Sequence, residues 1–317
     1  MSNKHQSWGW MLAVDFFFAG AGGGMLVLAA LVELFGNSRM SLAGNLLGPA
    51  FMCIGCIFLI FELGKPFRAW RVFMNPKAIL TVGAWTMSVA IATAFVYAAM
   101  ALPAKAFPLN LLPFDPIVWR DWVWAGKLLA VVNLITGLVV ATYPGVLLGR
   151  LKGRPFWTGP GIMALFLLSS LVTGTAAHYL CGFVTEAPSV VVWNALPGVF
   201  ALLLMFQLVL WIGYLWIKQS GATENEAAAA RRWTSGDRSL AGKGAFLFLG
   251  TLVPLVLALL PNPAAQAVAA ALVLFGGVTM RLLVIKSGDD RTYLPGEKRY
   301  NLRLPNGDEA FLHKSAH

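Results

Sequence analysis

Eight runs of this sequence stay apolar long enough to cross a membrane, at about 9–35, 42–62, 78–102, 121–149, 161–181, 189–217, 243–260 and 264–286. A helix needs roughly 20 mainly apolar residues to span hydrocarbon. Inside hydrocarbon every backbone polar group must be satisfied within the protein, which leaves helices and closed barrels. No run alternates with the two-residue period of a strand, so the expected fold class is all-α: a polytopic membrane protein of about eight transmembrane helices. Composition agrees, with 58% hydrophobic and 12% charged residues, against about 45–50% and about 25% in soluble domains. Those figures exclude a soluble enzyme built on one ordinary core and a disordered chain. Three cysteines in 317 residues exclude a disulfide scaffold. The first run is longer than the h-region of a secretory leader and is interrupted by Asp15, so it reads as a span. The expected organisation is a first four-helix bundle with a ligand site (1–149), a second four-helix bundle (150–286) and a polar C-terminal tail (287–317).

Charge sets the orientation. Let side A be the membrane face that holds the N-terminus. Eight spans return the C-terminus to it. Side A then receives Lys4, Lys65, Arg68, Arg71, Lys77, Arg150, Lys152, Arg154, Lys218, Arg231, Arg232, Arg238, Lys243 and the basic group from Arg281 onward. Side B receives Arg39, Lys105 and Arg120. The positive-inside rule places side A, with both termini, in the cytoplasm. The same basic loops also suit an acidic partner subunit. The net charge of +10 is spread over short membrane loops and does not read as nucleic-acid binding.

Ionisable groups within spans are expensive, so each is a functional candidate. Asp15 lies about seven residues inside the first span, in Trp8-Gly9-Trp10-Met11-Leu12-Ala13-Val14-Asp15. A carboxyl there can exchange a proton with a bound ligand, or pair with a neighbouring helix. The following Gly20-Ala21-Gly22-Gly23-Gly24 favours close helix packing over a flat ligand. Glu62 ends the second span and Tyr143 the fourth, both toward side A. Singly, each reads as an interfacial group. Together with Asp15 they place two carboxyls and a phenol from three helices at one depth, a set able to hydrogen-bond the two carbonyls of a quinone. His178, Lys127 and Glu33 lie toward side B, where they form a weaker candidate for a proton route.

Cys53 and Cys56 share a helix face but do not make a metal site, since an iron–sulfur cluster needs about four ligands. The four histidines are His5, His178, His313 and His317, and only His178 is well inside a span. A bis-histidine haem is therefore not expected in this protein, nor an iron–sulfur cluster. Electrons, if handled here, must come from a partner that owns the metal centres.

The stretch Glu62-Leu63-Gly64-Lys65-Pro66-Phe67-Arg68-Ala69-Trp70, with Asn75-Pro76 and Gly83-Ala84-Trp85 after it, resembles a signature of the NrfD/PsrC family. Tyr143-Pro144-Gly145-Val146-Leu147-Leu148 with Arg154-Pro155-Phe156-Trp157 is similar to a second signature. Leu165 to Ser170 with Thr173-Gly174 resembles it further, as does the first helix with Trp8-Gly9-Trp10, Asp15 and the glycine run. The resemblance covers roughly residues 8–180. It implies the quinone-reactive membrane subunit of a polysulfide-reductase-like respiratory complex, multi-pass in a bacterial or archaeal plasma membrane. Implied partners, besides the lipid bilayer, are a ferredoxin-type iron–sulfur subunit and a molybdopterin catalytic subunit, docked at residues 63–77 and 150–157. The implied cofactor is menaquinone or ubiquinone, held by Asp15, Glu62 and Tyr143. Some members carry His at the position of Asp15 and an amide three residues earlier, where this protein has Leu12, so quinone ligation differs in detail. The competing reading is a proton-coupled secondary transporter with Asp15 and His178 as coupling groups.

Overall fold

The computed structural model describes residues 9–62, 66–75, 78–102, 117, 122–151, 153–159, 161–185, 189–220 and 223–290. Its principal helices are α1 (Trp10–Gly36), α2 (Leu42–Glu62), α3 (Ile79–Met100), α4 (Val123–Gly149), α5 (Gly161–Cys181), α6 (Val190–Gln219), α7 (Glu224–Thr234), α8 (Val253–Ala258) and α9 (Pro263–Lys286). A 3-10 segment covers Pro66–Met74, and Leu240–Leu252 winds as a π-helix that runs into α8. Among the described residues, eight helical stretches are long and apolar enough to span a bilayer, the π-segment and α8 counting as one. The protein is thus an all-α, multi-pass membrane protein. Their ends fall within a few residues of those expected. Trp10, Trp70 and Trp216 toward side A and Trp122 and Trp124 toward side B are exposed, as aromatic side chains at membrane interfaces commonly are.

Helix α1 is the centre. It packs on α2, α4, α5 and α9, and 72% of its most apolar window is buried, against 17% for α3. Its glycines explain the difference. A methyl group on Gly22 would stand 2.6 Å from the Gly48 carbonyl of α2, and one on Gly23 would stand 2.9 Å from the Gly137 carbonyl of α4. Gly24 meets the Ser170 backbone of α5, while Gly174 of α5 meets Gly24 in return. Gly20 faces Ser170 and Arg281, with 2.7 Å between its missing methyl and the guanidinium. One short stretch therefore brings four helices to near backbone contact, the arrangement small residues permit in membranes.

The side A end is tied together by polar groups. Helix α7 starts at Thr223, whose hydroxyl accepts from the Glu226 N–H at 3.3 Å. That Thr-x-x-Glu capping pattern is present in the sequence. Asp290, fully buried, accepts from Arg232 at 2.6 Å and Arg238 at 2.9 Å. The indole of Trp233 donates to Ser287 and that of Trp157 to the Val284 carbonyl. Phe156, Trp157, Trp211 and Trp233 are buried, with Phe156 and Trp233 stacked at 5.1 Å. One expectation changes here. The stretch Arg154–Trp157 lies inside the protein's own core, so its side chains are not a docking surface. Ser287, Gly288 and Asp290, at the start of the polar C-terminal stretch, are buried; residues 291–317 lie outside those described.

Candidate functional site

A cavity of about 330 Å³ opens on the side A half, among α1, α2, α3, α4 and the 3-10 segment. Helix α1 supplies Asp15, Phe16 and Ala19; α2 supplies Cys56, Leu59 and Ile60; α4 supplies Val139, Val140, Tyr143 and Pro144. Leu80, Gly83, Ala84, Thr86, Met87 and Ser88 come from α3, and Trp70, Val72 and Phe73 from the 3-10 segment. Size and lining match a pocket for an apolar small molecule with few polar fixing points.

Two of those points are Asp15 and Tyr143. Asp15 Oδ1 and Tyr143 Oη are both buried, and neither has a hydrogen-bond partner among the described residues. Buried polar groups are ordinarily paired, so two orphans on one apolar cavity are a feature to explain. Glycines seat them both. A methyl group on Gly83 would lie 2.6 Å from the Tyr143 ring, and one on Gly55 would lie 3.0 Å from Asp15 Oδ1. The chemistry available is that of a hydroxyl and a carboxyl presented to a ligand in a mostly dry setting.

Glu62 belongs to the same end but has a different occupation. Its Oε1 accepts the Gly9 N–H at 2.8 Å, which caps the start of α1, and it does not line the cavity. The thiol of Cys56 lies on the cavity wall and donates to Met87 Sδ at 3.4 Å. Cys53 and Cys56 are both free thiols.

The side B group is divided. Glu33 Oε2 accepts from Tyr97 Oη at 3.0 Å and from Arg39 Nε at 3.3 Å, so its partners are neither His178 nor Lys127. Lys127 sits on the exposed flank of α4. His178 is fully enclosed, and its Nε2 lies 2.9 Å from the Met25 carbonyl.

Sequence reasoning overlooked Arg281. Assigned with the basic residues of the side A surface, it is fully buried in α9 against α1 and α5. It donates to the Phe16 carbonyl at 2.8 Å, to Ser169 and Ser170 Oγ at 3.2 Å each, and to Gly277 O at 3.1 Å. The guanidinium also lies 5.5 Å from the Phe17 ring centroid. No carboxylate is within ion-pair distance of it among the described residues. The available signal was its position five residues inside the expected end of the last span.

Similarity to known proteins points to the same kind of molecule. Over 265 residues it is 25% identical to a polysulfide reductase polypeptide of Wolinella succinogenes, covering 79% of this protein and 82% of that one. It is 24% identical over 185 residues to protein NrfD of Escherichia coli, covering 53% of this protein and 57% of that one. It is also 24% identical over 203 residues to a selenate reductase subunit of Mesobacillus selenatarsenatis, covering 55% of this protein and 47% of that one. The profile of the family described as polysulphide reductase, NrfD, matches residues 1–290. With nearly its whole length matched and eight spanning helices in place, the protein belongs to the NrfD family.

Proposed function

We propose that this protein is the membrane subunit of a reductase complex and that its side A cavity binds a quinone, menaquinone or ubiquinone. The observation that carries the reading is the pair of unpartnered buried oxygens, Asp15 Oδ1 and Tyr143 Oη, on one apolar cavity. A quinone head group fits that chemistry: a flat apolar ring with two carbonyl acceptors. When bound, a quinone supplies two-electron, two-proton redox chemistry. The residues supply the rest. Tyr143 Oη donates to one carbonyl. The Asp15 carboxyl, when protonated, donates to the other and exchanges its proton there. The apolar walls from α2 and α3 exclude water. Glu62, two residues beyond the cavity-lining Ile60, relays protons between the cavity and side A.

Electrons come from or go to an iron–sulfur subunit of ferredoxin type, with a molybdopterin subunit behind it. The docking surface is the 3-10 segment Pro66–Met74. Phe67 and Trp70 are exposed on it and Arg68 and Arg71 flank them, while Trp70, Val72 and Phe73 form a wall of the cavity. The same segment thus joins the docking surface to the cavity wall.

The test uses the intact complex in lipid. Tyr143→Phe should lower quinol-linked turnover about tenfold, the worth of one buried hydrogen bond to a reacting group, and Asp15→Asn, which keeps a donor but cannot exchange a proton, should lower it at least as far. Electron exchange between soluble dyes and the partner's clusters should be unchanged. Ordinary quinol kinetics in both variants would remove the cavity from the reaction.

A further inference from the structure

A second, much smaller void lies on the side B half, among α1, α2, α3, α4 and α5. Met25, Asn45, Tyr97, Asn133 and His178 line it. The space open to the centre of a water is about 10 Å³, roughly what a single molecule requires.

The polar atoms around the void are specific. The Met25 carbonyl can only accept, so His178 Nε2 must carry the proton in their 2.9 Å bond. In the neutral ring Nδ1 is then a bare acceptor, and it is buried without a partner. Asn45 is also half satisfied. Its Nδ2 donates to the Met40 carbonyl at 3.0 Å, while its Oδ1 is buried without a partner. The void is thus bordered by two orphan acceptors from two helices, α2 and α5. Turning the Asn45 amide over would set its oxygen against the Met40 carbonyl, and the other imidazole tautomer would set a bare Nε2 against the Met25 carbonyl, so pairing the two directly strands another acceptor. A third group with two donors can satisfy both, and water is the one that fits the volume. Asn133 also lines the void; its Oδ1 accepts from Thr93 Oγ1 at 2.7 Å, and its amide nitrogen is a further donor available to such a water. Gly44 leaves the approach to Nδ1 open, since a methyl group there would collide with the imidazole.

We propose that this void is a binding site for one structural water, which donates to His178 Nδ1 and Asn45 Oδ1. The water bridges α2 and α5 and satisfies the ring nitrogen that the Met25 bond leaves bare. It also extends a hydrogen-bonded line inward from side B. Arg39 and Glu33 begin that line, Tyr97 bonds Glu33 and lines the void, and His178 closes it. The site is independent of the quinone reading, since it lies on the other half of the membrane.

Two measurements on the intact complex in lipid nanodiscs test this. An electron cryo-microscopy map that resolves ordered water should show one peak within hydrogen-bond reach of both Nδ1 of His178 and Oδ1 of Asn45. A map without the peak, or with Nδ1 bonded directly to a protein group, overturns the proposal. Nitrogen NMR of histidine-labelled protein, with His178 assigned by its loss in His178→Gln, should show an Nε2–H tautomer with a hydrogen-bonded Nδ1. An Nδ1 resonance at the unbonded position in the unsubstituted protein overturns it equally. Asn45→Leu, which fills the void, should move that resonance to the unbonded position.

Discussion

Tyr143 can press its ring against α3 because Gly83 has no side chain. Gly83→Ala should therefore act through the tyrosine. Quinol turnover should fall about as far as in Tyr143→Phe, and the double variant should be no worse than either single one, as expected for two residues sharing one contact. Tyr143→Phe itself should leave the thermal midpoint unchanged or slightly higher, because the lost hydroxyl has no partner among the described residues. A clear drop would mean that the hydroxyl is structural. Arg281 should behave in the opposite way. Arg281→Met removes donors from the Phe16 carbonyl and two buried serines. Each stranded acceptor costs about 1–3 kcal/mol, so a thermal-shift assay should show a lower midpoint, with Arg281→Lys in between. That Asp15 and Tyr143 lie at one depth, where both line the cavity, was readable in the sequence because depth along a helix can be counted from its ends. What a side chain faces around the helix cannot be counted. That is why Glu62, at the expected depth, turns out to cap α1, and why Arg281, one turn from an end, turns out to be interior.

Glycines on the helices differ sharply in what they tolerate. Gly24 meets the backbone of α5, whereas Gly198 and Gly213 of α6 have nothing within 4 Å of a would-be methyl group. Gly24→Val should yield little monodisperse protein in size-exclusion chromatography, since overpacking at a backbone contact costs at least about 1–3 kcal/mol. Gly213→Ala should run as the unsubstituted protein does. The spans themselves were plain from hydropathy, and the glycine run was correctly read as a packing surface. Helix α7 was missed because it is short and polar, and hydropathy is blind to such a helix. Its Thr223–Glu226 capping pattern was the available signal. The π-helical winding of Leu240–Leu252 left no mark in the apolar pattern.

Orientation in the membrane belongs to the molecule as a unit. With basic residues concentrated on side A, a C-terminal fluorescent-protein fusion should glow and a C-terminal phosphatase fusion should be inactive. The reverse pattern would place side A outside. Several of these cations are neutralised in the folded protein: Arg232 and Arg238 by Asp290, and Lys218 by Glu226 at 3.3 Å. Their influence on orientation is thus exerted before those pairs form. The central position of α1 raises a related problem of timing. The ribosome makes α1 before every helix that covers it, and α9 is made last. Until then a helix carrying a buried carboxyl and a bare glycine face must wait in lipid among strangers. Synthesis therefore runs opposite to need, and α1 becomes safe from misassembly and proteolysis only when α9 has inserted against it.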